Sequence, residues 1–442
     1  MKKLLAVLGV SCVILTGLLL HMLIEYNKPI TQDTEKLAVV EVTPIASPAI
    51  PTRSVVEAPA VTRTDANPPS DNKGEPIVES SEKQWSVSLE QDIKKQEEQS
   101  EEEIETHDAF SYAYGMLNEN ERQLYDALYR ITVCYKQEAL VPTVNPEELD
   151  RVFNCVMMDH PEIFYVNGYK YTKYTVGNEI KRILFSPSFV YTSEETDAIN
   201  DDLHDAIQAI VGNVYAGWSD YEKIKYIYDV LAYNTEYDLD AEDNQNIISV
   251  LLNGRSVCQG YAKTMQTLLN ILEIPCTLAT GYVSGGERHA WNVVKADGEW
   301  YYVDVTWGDA AYILSGDAGN GEVASTINYD YLLVPYRDIS MTHALEVPVN
   351  MPDCTSLNDN YYVKEGLYFN SYNTDQLKAA FDRAYANGDQ TVTVKCSDEV
   401  VYKHMYNQLI DEQHIFDFIR DNKDIAYSYN PSAYKLVFAI KR

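Results

Sequence analysis

Gly254-Arg255-Ser256-Val257-Cys258-Gln259-Gly260-Tyr261 is followed by Met265, Leu268, Leu269 and Leu272 at helical spacing, and the pattern stops at Ile274-Pro275. The spacing predicts a helix that opens after a glycine-containing turn, with Cys258 at or near its first turn. Unpaired N–H groups and the positive end of a helix favour a thiolate there. A thiolate is the form that attacks carbonyl carbon. A small buried cysteine packing a helix start accounts for Cys258 equally well if it stands alone.

It does not stand alone. Arg288-His289-Ala290-Trp291-Asn292-Val293-Val294 alternates like a strand, and Trp300-Tyr301-Tyr302-Val303-Asp304-Val305-Thr306-Trp307 reads as its return. Asp297-Gly298 between them is a strong two-residue hairpin turn. A symmetric loop pairs Lys295 with Trp300, so His289 and Asp304 become diagonal neighbours on one sheet face. A three-residue loop would put them on opposite faces. With the cysteine helix docked on this hairpin, one imidazole nitrogen can face the thiol and the other the carboxylate, as nucleophile–base–orienter sites require. A core hairpin can also hold a satisfied His–Asp pair. The other histidines lack this setting: His107 lies at the edge of a tether, His160 ends a helix, His204, His404 and His414 lie on solvated helices, and His343 lies in a loop.

The order Gly-x-x-x-Cys-x-Gly-Tyr, His-Ala-Trp-Asn-x-Val and Trp-Tyr-x-Val-Asp-x-Thr-Trp resembles the core of the transglutaminase-like superfamily, closely over 221–307 and more loosely to 354. It is similar in particular to exported bacterial members described as transglutaminase/protease-like. The resemblance implies an α+β, papain-like, circularly rearranged fold with a cysteine-bearing helix packed on an antiparallel sheet. It carries over Cys258 as nucleophile, His289 as base and Asp304 as orienting carboxylate. Acyl transfer also needs oxyanion donors. The backbone N–H of Cys258 is one candidate. No Trp lies shortly upstream of Cys258, where animal transglutaminases have one. Gln259, Asn234 and Tyr233 are weaker candidates, and Trp291 and Trp307 are candidate cleft walls or plain core. No calcium-loop pattern and no zinc pattern is visible, so no metal and no cofactor is expected.

Outward from this core, Asn118/Glu121, Thr192/Glu195 and Ser219/Glu222 are capping boxes that open helices, and Asn145-Pro146 opens another. Strands are expected at 163–171 and 179–185, and helices at 375–386 and 399–419 between strands at 367–372, 391–396, 425–429 and 435–440. The expected organisation is a small α+β domain at 107–190, the catalytic domain at 191–354 and a C-terminal α/β domain at 355–442.

Before them, Met1-Lys2-Lys3 precedes an apolar run over residues 4–24, long enough to cross a bilayer as a helix. A retained anchor (1–26), a cleaved signal peptide and lipidation at Cys12 are the alternatives, and each exports the rest. Residues 27–106 are rich in Pro and Thr, then in Glu, and read as a disordered tether. The net charge of −32 argues against nucleic acid and anionic lipid as partners. The 35 Tyr against 10 Phe suit half-buried extracytoplasmic positions or a surface that stacks on sugars or peptides. The seven cysteines are scattered and do not suggest a dense disulfide framework.

The sequence thus leads to an exported thiol enzyme acting on peptide or glutamine-type amides of a peptide or protein substrate at a cell wall or surface. Hydrolysis is favoured over amine transfer, and the membrane is met only through the N-terminal segment. A non-catalytic surface binding module is the alternative.

Overall fold

The computed structural model describes residues 77–84, 105–309, 327–420 and 425–440. The apolar run at 4–24 and most of the expected tether, residues 27–76 and 85–104, lie outside them. No helix among the described residues is long and apolar enough to cross a membrane.

Three four-stranded sheets carry the chain. The first holds β1 (Ile77–Gln84), β2 (Ala139–Val141), β3 (Val166–Val176) and β4 (Glu179–Phe189) in the order β1-β3-β4-β2, with helices α1 (Glu119–Val133) and α2 (Pro146–Asp159) packed with it. Both helices start where their caps predict. Asn118 and Glu121 complete a reciprocal capping box, and the Asn145 side chain accepts from the Glu147 N–H with Pro146 at the first helical position. The β3–β4 hairpin is longer than the sequence suggests because polar residues such as Thr172 and Lys173 stay in the ladder.

β1 corrects one expectation. Residues 77–84 were assigned to the disordered tether, yet they run parallel to β3 from Ile77 opposite Gly168 to Gln84 opposite Thr175. Their side chains from Val78 to Lys83 are exposed. The strand therefore forms through backbone pairing to an open sheet edge, helped by Glu79–Lys170 at 2.9 Å and Ser81–Thr172 at 2.8 Å. It needs no apolar density, which was the property on which the tether reading relied.

The middle segment begins with α3 (Ser193–Val211) and α4 (Asp220–Asn234), each opened by a complete capping box. Helix α5 (Cys258–Ile271) follows, then β5 (Cys276–Val283), β6 (Arg288–Ala296) and β7 (Glu299–Val303). β8 (His343–Leu345) returns to pair with β5, giving the sheet order β8-β5-β6-β7. Asp297 and Gly298 both have positive φ, as a type I′ turn requires, and they fix Lys295 opposite Trp300 and Asn292 opposite Val303.

One buried cluster runs from Leu124, Phe153 and Phe185 of the first segment to Ala262 on α5, Leu278 on β5 and Ala290 on β6. The first segment is thus packed directly against the cysteine helix, and Gln266 donates to the Met158 carbonyl at 2.9 Å across that contact. The last segment has its own core and a sheet of β9 (Tyr368–Phe369), β10 (Thr391–Cys396), β11 (Tyr427–Asn430) and β12 (Lys435–Ala439), ordered β9-β10-β12-β11. Helix 374–387 matches its expected position, whereas the helix expected over 399–419 breaks after Tyr406 into a π turn and a 3-10 turn.

The β5–β8 pairing tolerates no side chain at Gly281. A Cβ there would stand 1.9 Å from the Ala344 carbonyl oxygen and 2.8 Å from the Glu346 nitrogen. Gly281→Ala is therefore expected to destabilise by about 3 kcal/mol in denaturant unfolding, the upper range for overpacking. Gly217→Ala, where a Cβ meets nothing within 4 Å, serves as the neutral control.

Candidate active site

Cys258 is the first residue of α5. The residue before it, Val257, has no side chain able to cap, so the first-turn N–H groups receive no side-chain hydrogen bond. The glycine two residues on has a steric reason. A Cβ at Gly260 would fall 2.0 Å from Ser256 Oγ and 2.9 Å from the Asn246 carbonyl. Gly260 lets the first turn settle onto the 244–256 loop, where Ser256 Oγ meets Ser249 Oγ at 2.7 Å. Tyr261 anchors the next turn by donating to the Thr235 carbonyl at 2.8 Å and to Asp309 at 3.0 Å. Asn292 on β6 donates to the Ala262 carbonyl at 2.9 Å and binds the helix to the sheet. The Cys-x-Gly-Tyr and His-Ala-Trp-Asn motifs are thus the two halves of one joint.

His289 lies on β6 beside this joint. Its Nε2 meets Asp304 Oδ2 at 2.8 Å, which leaves Nδ1 for Cys258, close enough that a thiolate there raises the imidazole pKa. Asp304 is fully buried. Its Oδ1 accepts the Trp307 N–H at 3.2 Å, its backbone N–H donates to Tyr331 at 3.0 Å, and its carbonyl accepts from Tyr228 at 3.3 Å. Cys258 itself is half-buried, whereas His289 and Asp304 are buried.

A second histidine completes the row, and it corrects the placement of His343 in a loop. His343 opens β8, is 5 % exposed, and brings its Nε2 to 3.0 Å from the same Asp304 Oδ2. Its Nδ1 meets Thr342 Oγ1 at 2.8 Å. Trp291, Trp307 and Tyr331 pack around it, with ring centroids 4.9, 4.8 and 5.8 Å away. These rings exclude water from the carboxylate.

The electrostatics follow from this packing. Burial opposes charge on His289, but the Asp304 carboxylate and then the Cys258 thiolate outweigh it and raise the imidazole pKa well above its ordinary value. Burial would raise the pKa of Asp304, yet His289 and His343 hold it well below the usual carboxylate range. The site therefore favours an imidazolium at His289 beside the ionised Asp304.

His289, Asp304 and His343 also form a group whose ligating atoms all lie within 4.8 Å of one another, the spacing a metal site needs. An ionised carboxylate only accepts hydrogen bonds, so both Nε2 atoms facing Oδ2 are N–H donors with no lone pair free for a metal. The arrangement fits a hydrogen-bonded relay better than a metal centre.

Residues 208–305 match the family model described as the transglutaminase-like superfamily. The chain carries a transglutaminase-like domain. Kyphoscoliosis peptidase of Mus musculus is 26 % identical to the chain over 221 residues, 43 % of this chain and 31 % of that protein. The Homo sapiens protein is 25 % identical over the same extent. The chain thus spans about a third of the length of these curated relatives. Among solved structures, a TGase aligns at 15 % identity over 36 % of this chain and 53 % of its own, with a TM-score of 0.24. A candidate cysteine protease from Cytophaga hutchinsonii aligns at 15 % identity over 31 % and 62 %, with a TM-score of 0.21.

Within the transglutaminase-like domain the remaining sequence candidates divide. Asn234 is not at the site: it ends α4, is exposed, and its side chain donates back to the Val230 carbonyl at 2.7 Å. Helix-end geometry satisfied it locally, which a sequence does not display. Tyr233 is 69 % exposed. Trp291 and Trp307 pack around the histidines, but their indole N–H groups are sealed from solvent and lack a partner among the described residues, so neither is presented to a substrate carbonyl. Gln259, next to Cys258 in the chain, lines a groove shared with α2 and residues 243–246. The Cys258 backbone N–H is then the remaining candidate donor. The sequence reading missed His343 and Lys263. The only signal for Lys263 was a lone basic residue inside an apolar-striped helix.

Proposed function

We propose that the chain is a thiol acyl-transfer enzyme acting on peptide or glutamine-type amides, with Cys258 as nucleophile, His289 as acid and base, and Asp304 as the carboxylate that orients His289. One observation carries the reading: His289 holds Asp304 at 2.8 Å through one nitrogen and keeps the other for Cys258, the half-buried first residue of its helix. In the first step the Cys258 thiolate attacks the carbonyl carbon and the C–N bond breaks. The amine leaves with the proton that His289 held, and a thioester remains. In the second step water or a primary amine attacks the thioester, His289 takes its proton, and the thiolate leaves. Water yields a carboxylic acid and an amine yields a new amide, so the same residues serve both outcomes. Hydrolysis is the outcome we favour. The apolar run at 4–24 behind two lysines supports an exported setting, where wall or surface peptides are the substrates within reach.

The test is alkylation of Cys258 by iodoacetamide in the full chain, followed by mass spectrometry from pH 5 to pH 9. Cys134, free and exposed, serves as the internal control, with the buried Cys155, Cys276, Cys354 and Cys396 as further references. At pH 6 Cys258 should outpace Cys134 by about a hundredfold, and His289→Ala should remove at least about tenfold of that lead. A Cys258 that reacts like Cys134, or ignores His289, would overturn the enzyme reading in favour of a binding module.

A further inference from the structure

A groove of about 880 Å³ opens along α5 one residue past Cys258. Its lining includes Gln259, the residue after the nucleophile, and Arg288, the residue before the base. The wall opposite them comes from α2 and from the loop at 243–246. Lys263 lines the same groove four residues on from Gln259, on the same face of α5.

Lys263 is unusual among the charges around this groove. It is 5 % exposed. Its ammonium makes no hydrogen bond and no ion pair with any described residue. Every other charged group of the lining is engaged. Arg151 pairs with Glu121, and Arg288 with Glu346 at 3.2 Å. Asp150 accepts from Tyr169 at 3.0 Å, and Asp243 from Tyr191 at 2.6 Å. Glu162, whose field reaches Lys263, is itself held by His160 at 2.7 Å. An ammonium largely withdrawn from water and left without a partner is unfavourable. Burial pulls the Lys263 pKa down to about 8, against the pull of Glu162. A carboxylate entering the groove would supply the missing partner and gain a charge-assisted hydrogen bond in a dry setting.

We propose that Lys263 is the anion-binding element of the substrate cleft, and that the groove takes a peptide bearing a carboxylate close to the attacked amide. The proposal rests on the reading of Cys258 as nucleophile and adds a substrate class to it. The carboxylate can come from an acidic side chain or from a chain terminus, and the test separates the two.

Trace acetylation of the full chain with acetic anhydride at pH 8 reads Lys263 directly and needs no chemistry at Cys258. Lys403, a surface residue, is the control. The probes are N-acetyl-glutamyl-glycine amide, N-acetyl-glutaminyl-glycine and the neutral N-acetyl-glutaminyl-glycine amide. At least one carboxylate probe should slow Lys263 labelling about fivefold or more relative to Lys403, and the neutral probe should not. Protection by the first probe assigns the side chain, and by the second the terminus. A second measurement uses iodoacetamide-tipped forms of the same dipeptides against Cys258. The rate ratio of the protecting carboxylate form to the neutral form should be about ten in the native chain and near one in Lys263→Met. A Lys263 that never labels, or labels equally with all three probes, overturns the proposal, as does a ratio that survives in Lys263→Met. If Lys263 is protected while Cys258 shows no selective reactivity, the anion site stands and the enzyme reading fails. Selective Cys258 with unprotected Lys263 gives the reverse.

Discussion

Asp304→Asn is expected to lower kcat by about ten-thousandfold with little change in KM, by analogy with the same change in other nucleophile–base–orienter sites. The size follows from how many donors converge on one carboxylate. Oδ2 accepts from both His289 and His343, and Oδ1 accepts the Trp307 N–H. An asparagine has one acceptor oxygen and one NH2. If the oxygen faces the histidines, the NH2 meets the Trp307 N–H donor to donor. If it faces Trp307, both Nε2–H groups point at a donor. Either way the negative charge that sustains the His289 imidazolium is gone. Asp304 is fully buried and touches no substrate, so binding is left nearly intact. Peptide-amide hydrolysis and amine incorporation, each followed to saturation, check the result, and a loss under tenfold would remove Asp304 from the orienting role.

The same carboxylate gives a pH signature in stability. Its folded pKa is depressed, so its contribution is present above the unfolded value of about 4 and is lost as pH falls towards the folded value. The folded pKa of His289 is raised, so its contribution is full below the unfolded value of about 6.5 and is lost as pH rises through the folded value. The site therefore supports the fold most between those limits, and Asp304→Asn should flatten both limbs in denaturant titrations.

His343→Phe is the second large effect. Phenylalanine keeps a ring among Trp291, Trp307 and Tyr331 but removes one donor from a buried carboxylate. Leaving that charge short of a partner is expected to destabilise by about 3 kcal/mol. Freeing one side of Asp304 should also lower kcat by about tenfold to a hundredfold, the usual effect of losing a supporting hydrogen bond. His343→Gln, whose amide can restore the donor, should recover most of both losses. His343 is a positioning residue, so the decisive readout is the pH profile. With one donor gone Asp304 is easier to protonate, and the acid limb of kcat/KM should move to higher pH in His343→Phe and return in His343→Gln. A stability loss with an unmoved profile would leave His343 a packing residue only.

The two histidines show what a sequence can and cannot say. The pairing of His289 with Asp304 was legible because it is local: one two-residue turn with positive φ at Asp297 and Gly298 fixes the register, and the register fixes the face. The cysteine at a helix start was legible for the same reason, since Gly260, Tyr261 and the apolar spacing all lie within one helix. The capping boxes at Asn118, Thr192 and Ser219 each need only four residues, and all three formed. His343 is 39 residues from Asp304 and sits on a three-residue strand with no periodicity to read. Only the edge of β5, open where Gly281 leaves room for the Ala344 carbonyl, decides that it joins the site. The strand at 77–84 likewise exists only because β3 offers an edge. Lys263 is withdrawn from water, with no partner among the described residues, in a groove it shares with α2, which spacing along α5 does not encode. Short-range geometry, set by turn, cap and helical period, was determined by the sequence alone. Whatever depended on two distant segments sharing an edge or sealing a space was decided by the tertiary structure, because hydrogen bonds at an edge and loss of solvent are properties of the assembled surfaces.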